Sequence, residues 1–297
     1  MSGKNTTAIT EAEISQMDEK AKVVDLVASR IRAFQENQQI DFPPNYSVEN
    51  ALKSAWLVLQ NVQDKNKKLV LEVCNKASIA NALLNMSIQG LSPAKNQCYF
   101  IAYGDQLTLS RSYFGTMAVT KRVTGASEIY AQCIFDGDEL RYSIRDGNAH
   151  IESHKQSFAN IKNDKIIGAY CVIKFPDGRE DFARIMTMEQ IQASWKKSPM
   201  NPNGDSSTHK QFPVDMSLRT VINKTCKMLI NTSDDSSLLV ESFLKTSEIA
   251  NEAALAAEIS ENANQEMLDV EDADYAEIPD EQTPPVPEEA PSSDPGY

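Results

Sequence analysis

Apolar residues that recur every three or four positions predict most of the helices in this chain. The first series runs from Val23 to Phe34, and Thr10 and Glu13 ahead of it have the spacing of a capping box. Because one face of this helix is apolar, it must pack either on its own domain or on a neighbouring subunit. The same periodicity predicts further helices that begin near Ser47, Ser78, Thr187, Pro213 and Ser236.

Alternating polar and apolar positions predict short strands between these helices. Residues 97–103 are rich in aromatic and β-branched side chains, Gly104-Asp105 supplies a turn, and residues 106–110 return. Two further hairpins are predicted, one joining residues 128–135 to 140–145 and one joining 166–175 to 180–186. Strands and helices do not alternate regularly, so the pattern predicts an α+β fold with a small antiparallel sheet packed with helices. It argues against a doubly wound parallel sheet.

The stretch after the first hairpin carries the first candidate chemistry. Residues 111–124 take helical spacing, with Phe114, Met117 and Val119 on one side, and Gly125 stands where helices often end. We expect the exposed remainder to carry Arg111, Tyr113, Lys121 and Arg122. Cations for phosphates beside aromatic rings for bases suit single-strand binding. The alternative is a solvated helix end with cations placed favourably near its C-terminus.

A second cationic surface is predicted on the helix that begins at Pro213. Its polar face carries Arg219, Thr220, Asn223, Lys224 and Lys227, which are spaced to lie together. Such a stripe can follow a phosphate backbone, because each cation releases a condensed counterion. The alternative is an ordinary amphipathic surface helix.

Other residues could complete the same groove. Lys196, Lys197, His209 and Lys210 could form its lip, and Gln106 is the polar residue of the first hairpin that we expect nearest to it. Trp195, beside these lysines, is expected to be a core anchor rather than a base-stacking platform.

Net charge is distributed unevenly along the 297 residues, for which the formal total is −13. All 29 Lys and Arg lie at or before Lys245 together with 27 Asp and Glu, so this part has a net charge of +2. The other 15 acidic residues follow Lys245 without a cation, and from about Glu261 the composition is also rich in Pro. The asymmetry indicates a functional body with an acidic interaction tail, which we expect to be disordered.

Several classes of protein are disfavoured by the residues. Five scattered Cys without a CxxC pair favour neither a disulfide framework nor a zinc ribbon. No G-x-x-x-x-G-K-[ST] loop is present to cradle ATP phosphates. His150 and His154 have the spacing of zinc ligands on a helix but sit among strand signals, so they are expected to be surface residues. Asp136, Asp138 and Glu139 cluster in a turn, where acids are common, so a metal nuclease is disfavoured.

Two runs of sequence resemble the RecT family of phage single-strand annealing proteins. The first is QCYFIAYGDQLTLSRSYFGTMAVTKRVTG, residues 97–125, and the second is HKQFPVDMSLRTVINKTCKMLINTSDDS, residues 209–236. Together they indicate a resemblance over about residues 47–245. One departure is Leu218, where family members often have a Lys.

The resemblance implies a protein that anneals complementary single strands of DNA without ATP in phage recombination, and that is not an enzyme. It implies rings or helical filaments of a homo-oligomer, with a partner exonuclease and the host single-strand binding protein as a further partner. No cofactor is expected, although Mg²⁺ could help two phosphate backbones approach. The alternatives are a passive single-strand binding protein and a structural protein that uses the basic face for protein contacts.

We therefore predict three segments. Residues 1–45 form an N-terminal helical segment for oligomerisation, residues 46–245 the annealing core, and residues 246–297 the end of the last helix and the acidic tail. No signal peptide and no apolar run long enough to cross a bilayer is found in the sequence, so a cytoplasmic location in a bacterial host is expected, with no membrane partner.

Overall fold

A computed structural model describes residues 21–42, 44–196, 207–233 and 237–247. The predicted capping box at Thr10, the cation Lys197, the loop after it and the acidic tail lie outside these residues. The helices are α1 (Ala21–Glu36), α2 (Val48–Leu59), α3 (Val70–Val73), α4 (Lys76–Ile88), α5 (Tyr113–Thr124), α6 (Met188–Trp195), α7 (Thr208–Gln211), α8 (Pro213–Asn231) and α9 (Ser237–Ser247). The strands are β1 (Cys98–Tyr103), β2 (Gln106–Arg111), β3 (Glu128–Phe135), β4 (Glu139–Arg145), β5 (Asn148–Lys155), β6 (Ile166–Lys174) and β7 (Phe182–Thr187).

The first hairpin is confirmed as β1 and β2, which pair antiparallel from Cys98 opposite Arg111 to the turn at Gly104. Gly104 has φ +63°, a left-handed conformation that glycine adopts at little cost. The spacing predicts Arg111 as the first residue of the following helix. In the structure it is instead the last residue of β2. Helix α5 starts after Ser112, whose hydroxyl accepts a hydrogen bond from the Gly115 N–H at 3.0 Å.

The other five strands form one antiparallel sheet in the order β3-β6-β7-β5-β4. The predicted β6–β7 hairpin is confirmed, but the prediction that residues 128–135 and 140–145 form a hairpin is wrong. β3 pairs with β6 and β4 pairs with β5, at opposite edges of the sheet. A flat sheet would separate these edges by about 19 Å, whereas the four-residue step from Phe135 to Glu139 spans at most about 14 Å. The sheet must therefore curl.

A buried carboxylate fixes the point where the two edges approach. The Asp138 side chain is 0 % exposed, and its oxygens accept hydrogen bonds from the groups Phe135 N–H (2.9 Å), Gln156 Nε2 (2.9 Å) and Asn160 Nδ2 (3.0 Å). His154 Nε2 lies 3.2 Å from Asp138 and its Nδ1 lies 3.2 Å from the Tyr170 hydroxyl. Burial alone would raise the pKa of Asp138, but these hydrogen bonds lower it to about 2. His154 is thus an interior residue of the sheet, and the prediction that it lies on the surface is wrong.

Two apolar cores are bridged by α5 and α8. The first contains α1, α2, α4 and the β1–β2 hairpin, and the second lies between the curled sheet, α6 and α8. The apolar face of α1 is buried in the first core against α2 and α4 of its own chain, with Val27 0 % exposed and Ile31 1 %. The mixture of helices with small antiparallel sheets confirms the α+β fold class.

None of the helices in the described ranges combines the length and the apolar character that crossing a bilayer requires.

Candidate nucleic-acid interface

Helix α8 buries apolar residues against the sheet and α5, and it leaves several cations at least partly exposed. Pro213 is the first residue of α8, and the fixed φ angle of proline suits the first turn of a helix. Val221 and Cys226 are fully buried in the second core. On the other side Lys224 is exposed, and Arg219, Asn223 and Lys227 are partly exposed. The predicted polar face is therefore present for these four residues.

The fifth residue of that face, Thr220, is used to position a neighbouring helix. Its hydroxyl accepts a hydrogen bond from the Trp195 indole Nε1 at 2.8 Å. Trp195 is 8 % exposed and packs in the second core, as the prediction of a core anchor requires. This contact attaches the C-terminal end of α6, and with it Lys196, to the N-terminal half of α8.

A capping box fixes the other end of α6, which the periodicity predicts to begin near Thr187. The Thr187 hydroxyl accepts from the Gln190 N–H, and the Gln190 side chain accepts from the Thr187 N–H. Both ends of this short helix are thereby fixed, so the position of Lys196 is defined by the fold.

A cleft of about 520 Å³ lies between α6, α7 and the loop that joins β5 to β6. The cations Lys196 and Lys210 line it together with Trp195 and His209, which lie 4.9 Å apart between ring centroids. The sequence had placed these four residues at one groove, and the structure brings them together. Asn163 and Asp164 of the β5–β6 loop also line the cleft and were missed, because nothing local in the sequence links them to α6.

The charged groups that line this cleft are Lys196, Lys210 and Asp164, whereas its histidine is buried. His209 is 4 % exposed, and its burial lowers the pKa of the imidazole below the usual value, with a further lowering by the positive charge of Arg219. The lowered pKa favours the neutral form of the imidazole.

The prediction that Arg111 is exposed is wrong. It is 6 % exposed, and its Nη1 donates to Gln89 Oε1 at 2.7 Å and to the Phe243 carbonyl at 2.9 Å, while Nε donates to Thr116 Oγ1 at 3.1 Å. The guanidinium stacks on the Phe243 ring, 3.5 Å from its centroid. Burial lowers the pKa of Arg111 to about 9, so it remains charged at neutral pH and its donors are directed into the protein.

Two more residues predicted on the exposed part of α5 pack against the protein. Arg122 is partly buried, donates from Nη2 to the Ile88 carbonyl at 3.1 Å and lies 5.7 Å from the centre of the Phe42 ring. Tyr113 is partly buried in the second core, with its ring 4.1 Å from that of Phe114. Of the four side chains predicted to be exposed on this element, Lys121 alone is fully exposed.

Gln106 belongs to a different part of the fold. It is exposed at the turn of the β1–β2 hairpin, and its amide donates to the Asp105 carboxylate at 3.3 Å. That hairpin packs in the first core, whereas α6 and the sheet-facing side of α8 pack in the second.

No metal centre accompanies these cations in the part of the chain that the structure describes, where His, Cys, Asp and Glu form no group of three suited to an ion. The candidate interface consists of cations and neutral polar groups, with the carboxylate of Asp164 also lining the cleft.

The sequence profile of the RecT family matches residues 49–263, which include both candidate surfaces. A search of curated proteins found no significant match. The matched region covers more than two thirds of the 297 residues and contains both motifs on which the resemblance was based. The chain therefore belongs to the RecT family, whose members are single-strand annealing proteins of DNA recombination.

Proposed function

We propose that this protein binds single-stranded DNA and anneals complementary strands without ATP in phage homologous recombination. The observation that carries the proposal is the cleft lined by Lys196, Lys210 and Pro213, the first residue of α8, a helix that exposes further cations. The hydrogen bond from Trp195 to Thr220 holds the two cationic elements together. Family membership gives this arrangement its functional context.

The mechanism breaks no covalent bond. Lysines attract the phosphate backbone without regard to sequence, because binding releases condensed counterions. The bases remain available, and pairing with a second strand supplies the specificity. One subunit holds only a few nucleotides, so annealing of long strands requires cooperative assembly along the DNA. We therefore propose a homo-oligomer, with an exonuclease and the host single-strand binding protein as partners.

The proposed DNA-binding set follows exposure. It comprises Lys196, Lys210, Arg219, Asn223, Lys224 and Lys227, with the exposed residues Lys121 and Gln106 as peripheral members. Tyr113, whose ring packs in the second core, is not included. Lys197 is proposed with Lys196 on sequence grounds. Arg111 and Arg122 are assigned to the packing of the fold.

Annealing of two complementary fluorescent oligonucleotides without ATP tests this function. We expect the protein to accelerate pairing well beyond the spontaneous rate, and Mg²⁺ can be varied in the same assay. A protein that binds both strands but slows their pairing would be a passive single-strand binding protein. A protein that neither binds nor affects pairing would contradict both functions.

A further inference from the structure

An aromatic side chain on the β5–β6 loop is held in solvent. Phe158 lies on a 3-10 turn, Phe158–Asn160, and is 91 % exposed, more than any other large apolar side chain among the described residues. Scattered exposed apolar residues are common in proteins. A phenylalanine ring exposed to this degree is unusual, because burying even half of it would favour folding.

The loop that carries Phe158 is anchored on both sides of the ring. On one side Gln156 Nε2 donates to Asp138 at 2.9 Å and to the Cys133 carbonyl at 3.1 Å. On the other side Asn160 Nδ2 donates to the same Asp138 carboxylate at 3.0 Å. The buried carboxylate that fixes the curled sheet therefore also fixes the turn that presents the ring. Such preorganisation lowers the entropic cost of binding a ligand.

The same loop leads into the cationic cleft. A second 3-10 turn, Asn163–Lys165, begins five residues after Phe158, and its residues Asn163 and Asp164 line the cleft with Lys196 and Lys210. The five-residue step limits the Cα separation of Phe158 and Asn163 to about 18 Å. Lys162 and Lys165 are both exposed on this loop.

We infer that Phe158 forms a base-stacking subsite for single-stranded DNA, with Lys162 and Lys165 placed for the flanking phosphates. The inference rests on the proposed function. An aromatic ring beside cations is the combination that single-strand binding surfaces use. The centre of a protein–protein contact is depleted in charge, whereas residues 155–165 carry three Lys and one Asp. DNA is therefore the partner that this loop fits.

Substitution of the ring tests the subsite in the full-length protein. Phe158→Ala should weaken binding to a fluorescent single-stranded oligonucleotide by about 5- to 150-fold, the range for loss of one stacked base. The salt dependence of binding should stay the same, because no charge is removed. Phe158→Trp should keep the affinity and have its fluorescence quenched by DNA. Ile161→Ala, on the same loop with Ile161 45 % exposed, is the matched apolar control.

An oligonucleotide that lacks bases but keeps its phosphates provides the decisive comparison. Phe158→Ala and the parent protein should bind it equally, since no base is present to stack. Equal affinity of the two proteins for the normal oligonucleotide, or full affinity of Phe158→Leu, would overturn the inference. A variant that sediments differently without DNA but binds with unchanged affinity would instead make Phe158 a protein contact. If the parent protein does not bind single strands at all, the proposed function itself fails.

Discussion

Two arginines of this chain donate hydrogen bonds to backbone carbonyls of the helices packed against them. Arg111 donates to the Phe243 carbonyl in α9, and Arg122 donates to the carbonyl of Ile88, the last residue of α4. The end of a helix carries partial negative charge and carbonyl groups without helical partners, so the Arg122 guanidinium satisfies both requirements. The same residue type that binds phosphates elsewhere is used here for tertiary packing.

We predict that Arg111→Ala destabilises the protein without changing its electrostatic attraction to DNA. Hydrogen bonds to charged groups contribute about 1.5–3 kcal/mol each, so a loss of about 3 kcal/mol in the free energy of unfolding is expected. Urea denaturation measures this loss, and the salt dependence of DNA binding by the folded variant should match the parent. Unchanged stability together with a weaker salt dependence would return Arg111 to the DNA surface.

Sequence reasoning succeeded at single residues where the decisive contact is local. The helix starts near Thr187 and Ser47 were predicted, and each is capped by a contact between residues three apart. Arg111 contacts a carbonyl 132 residues later in the chain, and nothing near Arg111 encodes that partner. Its burial therefore could not be predicted from the residues around it.

The elements show the same dependence on local signals. Pro176-Asp177-Gly178 and Asp136-Gly137-Asp138 both have the composition of tight turns, and only the first joins paired strands. The second turn fails as a hairpin because β4 pairs with β5, a strand that its own pattern did not reveal. Strand pairing is decided by the whole sheet and by the partners of the buried Asp138, Gln156 and Asn160, which lie 18 and 22 residues later and are not part of the turn signal.

At the level of α8, we predict that its cations determine the salt dependence of DNA binding. Lys224→Gln with Lys227→Gln should weaken binding to all sequences and reduce the log–log salt slope by about 0.7 for each phosphate that is no longer neutralised. Lys53→Gln with Lys95→Gln, two exposed lysines of other elements, removes the same charge as a control. Equal slopes for the two double variants would show that net charge, and not the face of α8, governs binding.

Helix α1 is predicted to stabilise its own subunit. Ile31 is 1 % exposed in the first core, so Ile31→Ala should cost about 2–5 kcal/mol in the free energy of unfolding. Ser29→Ala, on the exposed side of the same helix, should cost less than about 0.5 kcal/mol. For the same reason, removal of residues 1–40 should destabilise the body.

The test of α1 is whether its effect depends on subunit association. If α1 packs in its own subunit, the loss caused by Ile31→Ala is independent of protein concentration in urea denaturation. A loss that grows as the protein is diluted would indicate that α1 also stabilises an oligomer.

For the molecule as a whole, charge is divided between a weakly cationic body and an acidic C-terminal segment. The body has a net charge of +2 through Lys245, and 15 carboxylates follow without a compensating cation. Acidic side chains repel DNA and are attracted by the same lysines that we propose to bind it. The segment is therefore a competitor of DNA for the cationic cleft, or a contact for partner proteins, or a solubility tail.

Truncation after Glu261 is predicted to raise the affinity for single strands at low salt. The cut removes 11 of the 15 acids and with them most of the negative charge that competes with DNA for the lysines. The gain should fade near physiological salt, where the Debye length falls to about 8 Å. A full-length variant with those 11 acids replaced by Asn and Gln should show the same gain, because charge and not length is responsible. Equal affinities of the parent and both variants at low salt would reject competition and leave partner binding or solubility as the role of the tail.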